Sequence, residues 1–216
     1  MQKKNLLNKI FMISVFVSMT IFMDFFSNIL MPFLKMPLGG QFFKISFIIL
    51  FLSGFLEGFL VGFIVCLCYA FYHLCKGYLS LLGMHETLQL NISSLMISCI
   101  FDYVLPDLFI SVSGFFHNKK MTHITNKKNI LASTIIISFF RMIFFLISSY
   151  YVYSKHIISA FPVLFARLPF EWCLNSKLFF LCFCYCFLPC FVNCVIGIIF
   201  LIFILPKISY IMDKYL

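Results

Sequence analysis

Residues Ser98 to Phe116 read S-C-I-F-D-Y-V-L-P-D-L-F-I-S-V-S-G-F-F, an apolar run long enough to cross a bilayer as a helix. It nevertheless carries Asp102 and Asp107, and a carboxylate within hydrocarbon costs a few kcal/mol on insertion scales. Side chains kept at that cost face a protein interior or a water-filled cavity and mark a functional pathway.

The surrounding composition agrees with a membrane setting. Of 216 residues 63% are hydrophobic and 11% charged, with a mean hydropathy of +1.07, too little polar surface to cover a soluble globule. The expected fold class is therefore all-α, a polytopic membrane protein with six transmembrane helices in a single domain, 1–216. The net charge of +9 does not point to nucleic acid. Its lysines sit in short clusters between apolar runs, the distribution that orients membrane helices. Ten cysteines lie mostly inside apolar segments, where they serve as small packing residues rather than as a disulfide framework.

Apolar run lengths set the expected helices. The first covers Ile10 to Leu30 behind Lys3, Lys4 and Lys9; with no small-residue cleavage site after it, it reads as a retained helix and not a signal peptide. Gln41 to Cys75 would span roughly 50 Å as one helix, against a hydrocarbon core of ~30 Å, so it is expected to fold back. Ser53 to Gly58, S-G-F-L-E-G, is the expected turn, with short helices near Phe42–Phe51 and Gly58–His73 on either side. Lys76 to Asn91 reads as a polar loop. Further helices are expected over Ile92–Phe116, Ile130–Tyr151 and Leu178–Leu205, the last ended by Pro206-Lys207. Six crossings place nine lysines, from Lys3 to Lys214, on one side and Lys35, Lys76, Lys155, Arg167 and Lys177 on the other. That bias puts both termini in the cytoplasm of a cell-membrane protein.

Counting helix rise from the cytoplasmic ends levels the intramembrane polar groups. Asp102 and Asp24 come out at about 22 Å, Arg141 at about 18 Å, Lys44 at about 20 Å and Asn193 at about 21 Å. All five fall near one plane, where two carboxylates and two cations compensate each other in a shared polar cavity or a structural ion-pair network. Tyr103, Tyr150, Tyr151, Tyr153 and Trp172 are candidates to stack on a flat or cationic ligand at its mouth. His85-Glu86 lacks the second histidine of a zinc H-E-x-x-H motif, and His73 has no partner nearby in sequence. Cys182, Cys186, Cys190 and Cys194 form an i, i+4 row that reads as close helix packing, with no metal or other cofactor expected. The chain contains neither a G-x-x-x-x-G-K-[ST] loop nor a G-x-S-x-G elbow. It is expected not to be an enzyme, and any uphill transport must draw its energy from a partner.

Phe101 to Phe116, F-D-Y-V-L-P-D-L-F-I-S-V-S-G-F-F, resembles without a gap the L-D-Y-x-L-A-F-x-x-L-G-L-A-G-L-F stretch of the thiamine-specific substrate-binding (S) component of energy-coupling factor transporters. Phe140 to Tyr153 is similar to that family's R-x-x-x-H-x-x-S-G-x-x-F-W pattern, with Phe145 at the histidine position and Ser149 at the glycine. Leu38-Gly39-Gly40 and the S-G-F-L-E-G turn resemble its Gly-Gly lead into the second helix and its R-R-G turn.

The resemblance implies an S-component fold in which Asp102 and Tyr103 meet the vitamin, Arg141 is a basic pocket residue and Tyr153 stacks. It also implies that Ser14 and Ser18, a small-x-x-x-small pair on the first helix, dock onto a transmembrane coupling subunit that works with two ATPases. Lys44, Trp172, Tyr150 and Asn193 complete the candidate substrate-binding set. The expected partners are a thiamine-like vitamin, these subunits and membrane lipid. An S component for another vitamin, or a purely structural ion-pair network, remains the alternative.

Overall fold

A computed structural model describes residues 2–30, 36, 41, 43–88, 91–117, 126–154, 156–157 and 174–215. The chain is an all-α polytopic membrane protein, with six helices among the described residues. They are α1 (Gln2–Leu30), α2 (Ser46–Glu57), α3 (Phe59–Leu88), α4 (Ile92–Phe116), α5 (Lys127–Tyr153) and α6 (Leu174–Tyr215). Five of them are long and apolar enough to cross a membrane; α2, at 12 residues, is the exception.

The short helix is the centre of the bundle. Every residue of α2 from Ser46 to Phe55 is buried, enclosed by α1, α3, α6 and the end of α4. Phe47, Phe51 and Phe55 follow one another along it at centroid spacings of 6.4 and 5.4 Å, the first pair tilted and the second stacked. The outer surfaces of the long helices carry exposed apolar side chains such as Phe22, Phe71, Phe115 and Phe203, as a lipid solvent requires.

Lipid tails supply no hydrophobic force between helices, so close backbone approach has to hold them together. Small residues provide it where α2, α3 and α4 meet. A Cβ added to Gly62 would lie 2.6 Å from the Cα of Gly54, and one added to Gly114 would lie 2.3 Å from the backbone of Phe59. The Ser113 hydroxyl seals the joint by donating to the Phe51 carbonyl at 3.0 Å.

Several boundaries differ from the sequence reading. The turn expected across Ser53–Gly58 is confined to Gly58, whose φ of 92° ends α2 in a conformation that favours glycine. Ser53 satisfies its hydroxyl on the Leu50 carbonyl at 2.7 Å and stays helical. Lys76 does not begin a loop: α3 continues to Leu88, because polar residues end a membrane run without ending a helix. Likewise α6 passes through Pro189 and Pro206 to Tyr215, since proline removes a single backbone donor that a long helix tolerates.

Two helices widen near their centres. Cys99–Val104 in α4 and Ser149–Tyr153 in α5 are π-helical turns. The first lies just before Pro106, whose missing N–H cannot satisfy the carbonyl four residues back, and the Leu105 N–H bonds the Ile100 carbonyl instead. These turns carry Asp102, Tyr103 and Tyr153.

Candidate functional site

The widened turns face a cavity of about 390 Å³ between α1, α3, α4, α5 and α6. Asp24, Lys44, Asp102, Arg141 and Asn193, the five residues levelled by helix rise, all line it. Neither Asp102 nor Arg141 points into lipid.

The charges pair differently from the expectation that Lys44 and Arg141 would answer Asp24 and Asp102. Asp24, 1% exposed, accepts from the Tyr69 hydroxyl at 3.0 Å and pairs with Lys76 of α3. Since Tyr69 donates there, the Ser46 hydroxyl donates to Tyr69 at 3.1 Å. Lys44, just ahead of α2, places its ammonium 2.8 Å from His73 Nε2. An ammonium only donates, so Nε2 accepts and the Nδ1–H donates to Asp107 at 2.6 Å, a tautomer assigned from the hydrogen bonds. The other Asp107 oxygen faces the Arg141 guanidinium at 3.8 Å. Arg141 also lies over the rings of Phe47 and Phe145, at 5.1 and 5.7 Å.

Asp102 stands apart. One of its oxygens accepts from the hydroxyls of Ser98 and Ser148, each at 2.7 Å. Ser98 has spent its proton on the carboxylate, so the Tyr153 hydroxyl donates to Ser98, also at 2.7 Å. No cation among the described residues comes within 4.0 Å of Asp102. Tyr103 leans against the His73 ring at a centroid distance of 4.8 Å and occupies space left by Gly77, where a Cβ would lie 2.2 Å from its ring. Tyr153 and Tyr185 add two further aromatic rings to the lining of the cavity.

No protein family, curated protein or solved structure matches the chain.

Of the other candidates, Asn193 accepts from the Lys44 backbone N–H at 3.0 Å and so fixes the start of α2. Tyr150 does not line the cavity; its ring meets Tyr151 and Phe179 edge-on. Trp172 lies outside the described residues. Ser14 and Ser18 are exposed on the outer side of α1, and Ser14 bonds the Ile10 carbonyl at 3.0 Å. Cys182, Cys186 and Cys190 are buried, and the last two line the cavity. Among the described residues no group of three potential ligands could hold a metal ion.

Other contributors are not evident from the sequence, among them the hydroxyls of Ser98, Ser148 and Tyr69. His73 has no partner nearby in sequence because Lys44 and Asp107 lie 29 and 34 residues away. Lys76 and Gly77, expected in a loop, lie on α3 and line the cavity, as does Tyr185 of α6. The spacing Tyr69, His73, Lys76 was the available signal, since i, i+4 and i+7 share one helix face.

Proposed function

We propose that this chain is the substrate-binding (S) component of an energy-coupling factor type importer, taking thiamine or a related precursor from the outer face of the cell membrane. Both termini then lie in the cytoplasm, and a transmembrane coupling subunit with two ATPases supplies the driving force. The observation that carries the reading is Asp102. It is a carboxylate without a described cationic partner, opening on a cavity of vitamin size and flanked by Tyr103, Tyr153 and Tyr185. A cationic ring wants a carboxylate and π faces, and this corner offers both. Ser14 and Ser18 remain uncovered on α1, so a coupling subunit can reach them.

The test is calorimetric titration of thiamine into the full chain in nanodiscs, repeated with Asp102→Asn. Saturable binding lost in the variant supports the proposal; no binding by the unaltered chain removes its thiamine half. Copurification of a coupling subunit and two ATPases tests the transport half separately.

A second reading, a structural ion-pair network, is favoured by the closely paired Asp24–Lys76 and His73–Asp107. It requires that no solute bind and that Asp102→Asn change nothing but stability. Native mass spectrometry of the detergent-extracted protein separates the two by finding or failing to find a retained small molecule.

A further inference from the structure

The cavity's charges do not cancel place by place. Asp24 and Lys76 form a closed pair. Asp107 alone serves both Arg141, at 3.8 Å, and Lys44 through His73. That pole therefore holds one positive charge in excess. Arg141 is 7% exposed, and its Nε is buried with no hydrogen-bond partner among the described residues. A buried guanidinium with an orphaned donor is a costly arrangement unless something completes it. The opposite pole is Asp102, a carboxylate met by neutral hydroxyls.

Helix geometry separates the two poles. Ser148, which holds Asp102, and Arg141 lie on α5 seven residues apart, two turns along one face, which is about 10 Å of rise. Both line, or directly support residues that line, the same cavity. The lining of the cavity is therefore a dipole inside a low-dielectric bundle, where uncompensated charge is expensive.

We infer that its ligand is a zwitterion, with a cationic nitrogen centre at Asp102 among the tyrosines and a compact oxyanion such as a carboxylate at Lys44 and Arg141. The inference rests on the cavity's binding a small solute, the reading proposed above, but not on that solute's being thiamine. A ligand of one charge satisfies one pole and leaves the other exposed; a dipolar ligand satisfies both. Aromatic groups fall at the acid's end as well: Tyr153 reaches Asp102 through the Ser98 hydroxyl, Tyr185 lines the same cavity, and Tyr103, beside Asp102 in sequence, leans toward His73 between the two poles.

The experiment uses the full chain in nanodiscs and isothermal titration with 6-(trimethylammonio)hexanoate, its methyl ester, which keeps only the cation, and heptanoate, which keeps only the anion. Thiamine is run as a fourth arm. The zwitterion should bind at least about tenfold more tightly than either single-charge relative. Lys44→Met should remove its advantage over the ester, and Asp102→Asn its advantage over heptanoate. The ranking in the unaltered chain needs no variant to fold. A single-charge relative that equals the zwitterion, or failure of all three to bind, overturns the inference. Thiamine binding beside such a failure leaves the thiamine proposal standing, and a zwitterion preference without thiamine binding has the reverse meaning.

Discussion

The two ends of α4 belong to one apolar run, yet they are built for opposite purposes. At Phe109–Phe116 the helix tightens to a 3₁₀ form and wedges Gly114 against the backbone of Phe59, leaving no room for a side chain. At Cys99–Val104 it widens to a π form and leaves an open cavity beside Asp102. Asp107 lies between, fully committed to His73 and facing Arg141. The contrast teaches that an acid in a membrane helix is not one kind of feature. Asp107 fastens helices together, whereas Asp102 is held ready by hydroxyls and left without a described counter-ion.

Removing the fastening acid should have the largest effect. Asp107→Ala leaves Lys44, His73 and Arg141 facing one another in a buried space. Breaking a buried pair from one side costs about 3–5 kcal/mol. Thermal unfolding in detergent should show a large drop or loss of folded protein; an unchanged midpoint would mean that Asp107 is as dispensable as a surface acid.

Next in size is the joint at the other end. Gly114→Ala places a Cβ 2.3 Å from backbone atoms that cannot swing aside, and overpacking of this kind costs about 1–3 kcal/mol. The same unfolding assay should register it, while ligand affinity holds in whatever fraction remains folded. A loss of affinity without loss of stability would erase the division between the two ends.

Asp102→Asn should do the opposite. The amide oxygen still accepts from Ser98 and Ser148, so the stability change should stay within about 1 kcal/mol. Ligand binding should fall steeply, and a titration beside the melting curve would expose any variant that merely unfolds.

Much of this division was legible in the sequence, and the parts that were not share a cause. Run lengths revealed the helices, and helix rise brought Asp24, Lys44, Asp102, Arg141 and Asn193 to one cavity, although Asp102, held by Ser148, stands about two turns of α5 from Arg141. Pairing was hidden, since depth says nothing about rotation about the helix axis. Lys44 was matched to acids at its own height, but it reaches His73, and Asp24 takes Lys76. Lys76 is hidden because polarity marks the end of the apolar run and not of α3, whose backbone stays helical and turns this lysine toward Asp24 of α1. The π turns were half visible: Pro106 forewarns of the one in α4, whereas nothing comparable marks Ser149–Tyr153.

The smallest expected effect is the most discriminating one. Gly77→Ala adds a Cβ 2.2 Å from the Tyr103 ring, a clash as severe on paper as the one at Gly114. Here, however, the obstacle is the far end of a side chain beside an open cavity, and Tyr103 can rotate away. Alanine also suits a helix interior better than glycine by roughly 0.5–1 kcal/mol, so the net change in stability should be near zero or slightly favourable. The displaced ring no longer lies against His73 and no longer walls the Asp102 corner, so affinity for a cationic group should drop several-fold while the melting point holds. If affinity is also unchanged, Tyr103 is not part of the wall that meets ligand, and the aromatic contribution at that pole falls to Tyr153 and Tyr185 alone.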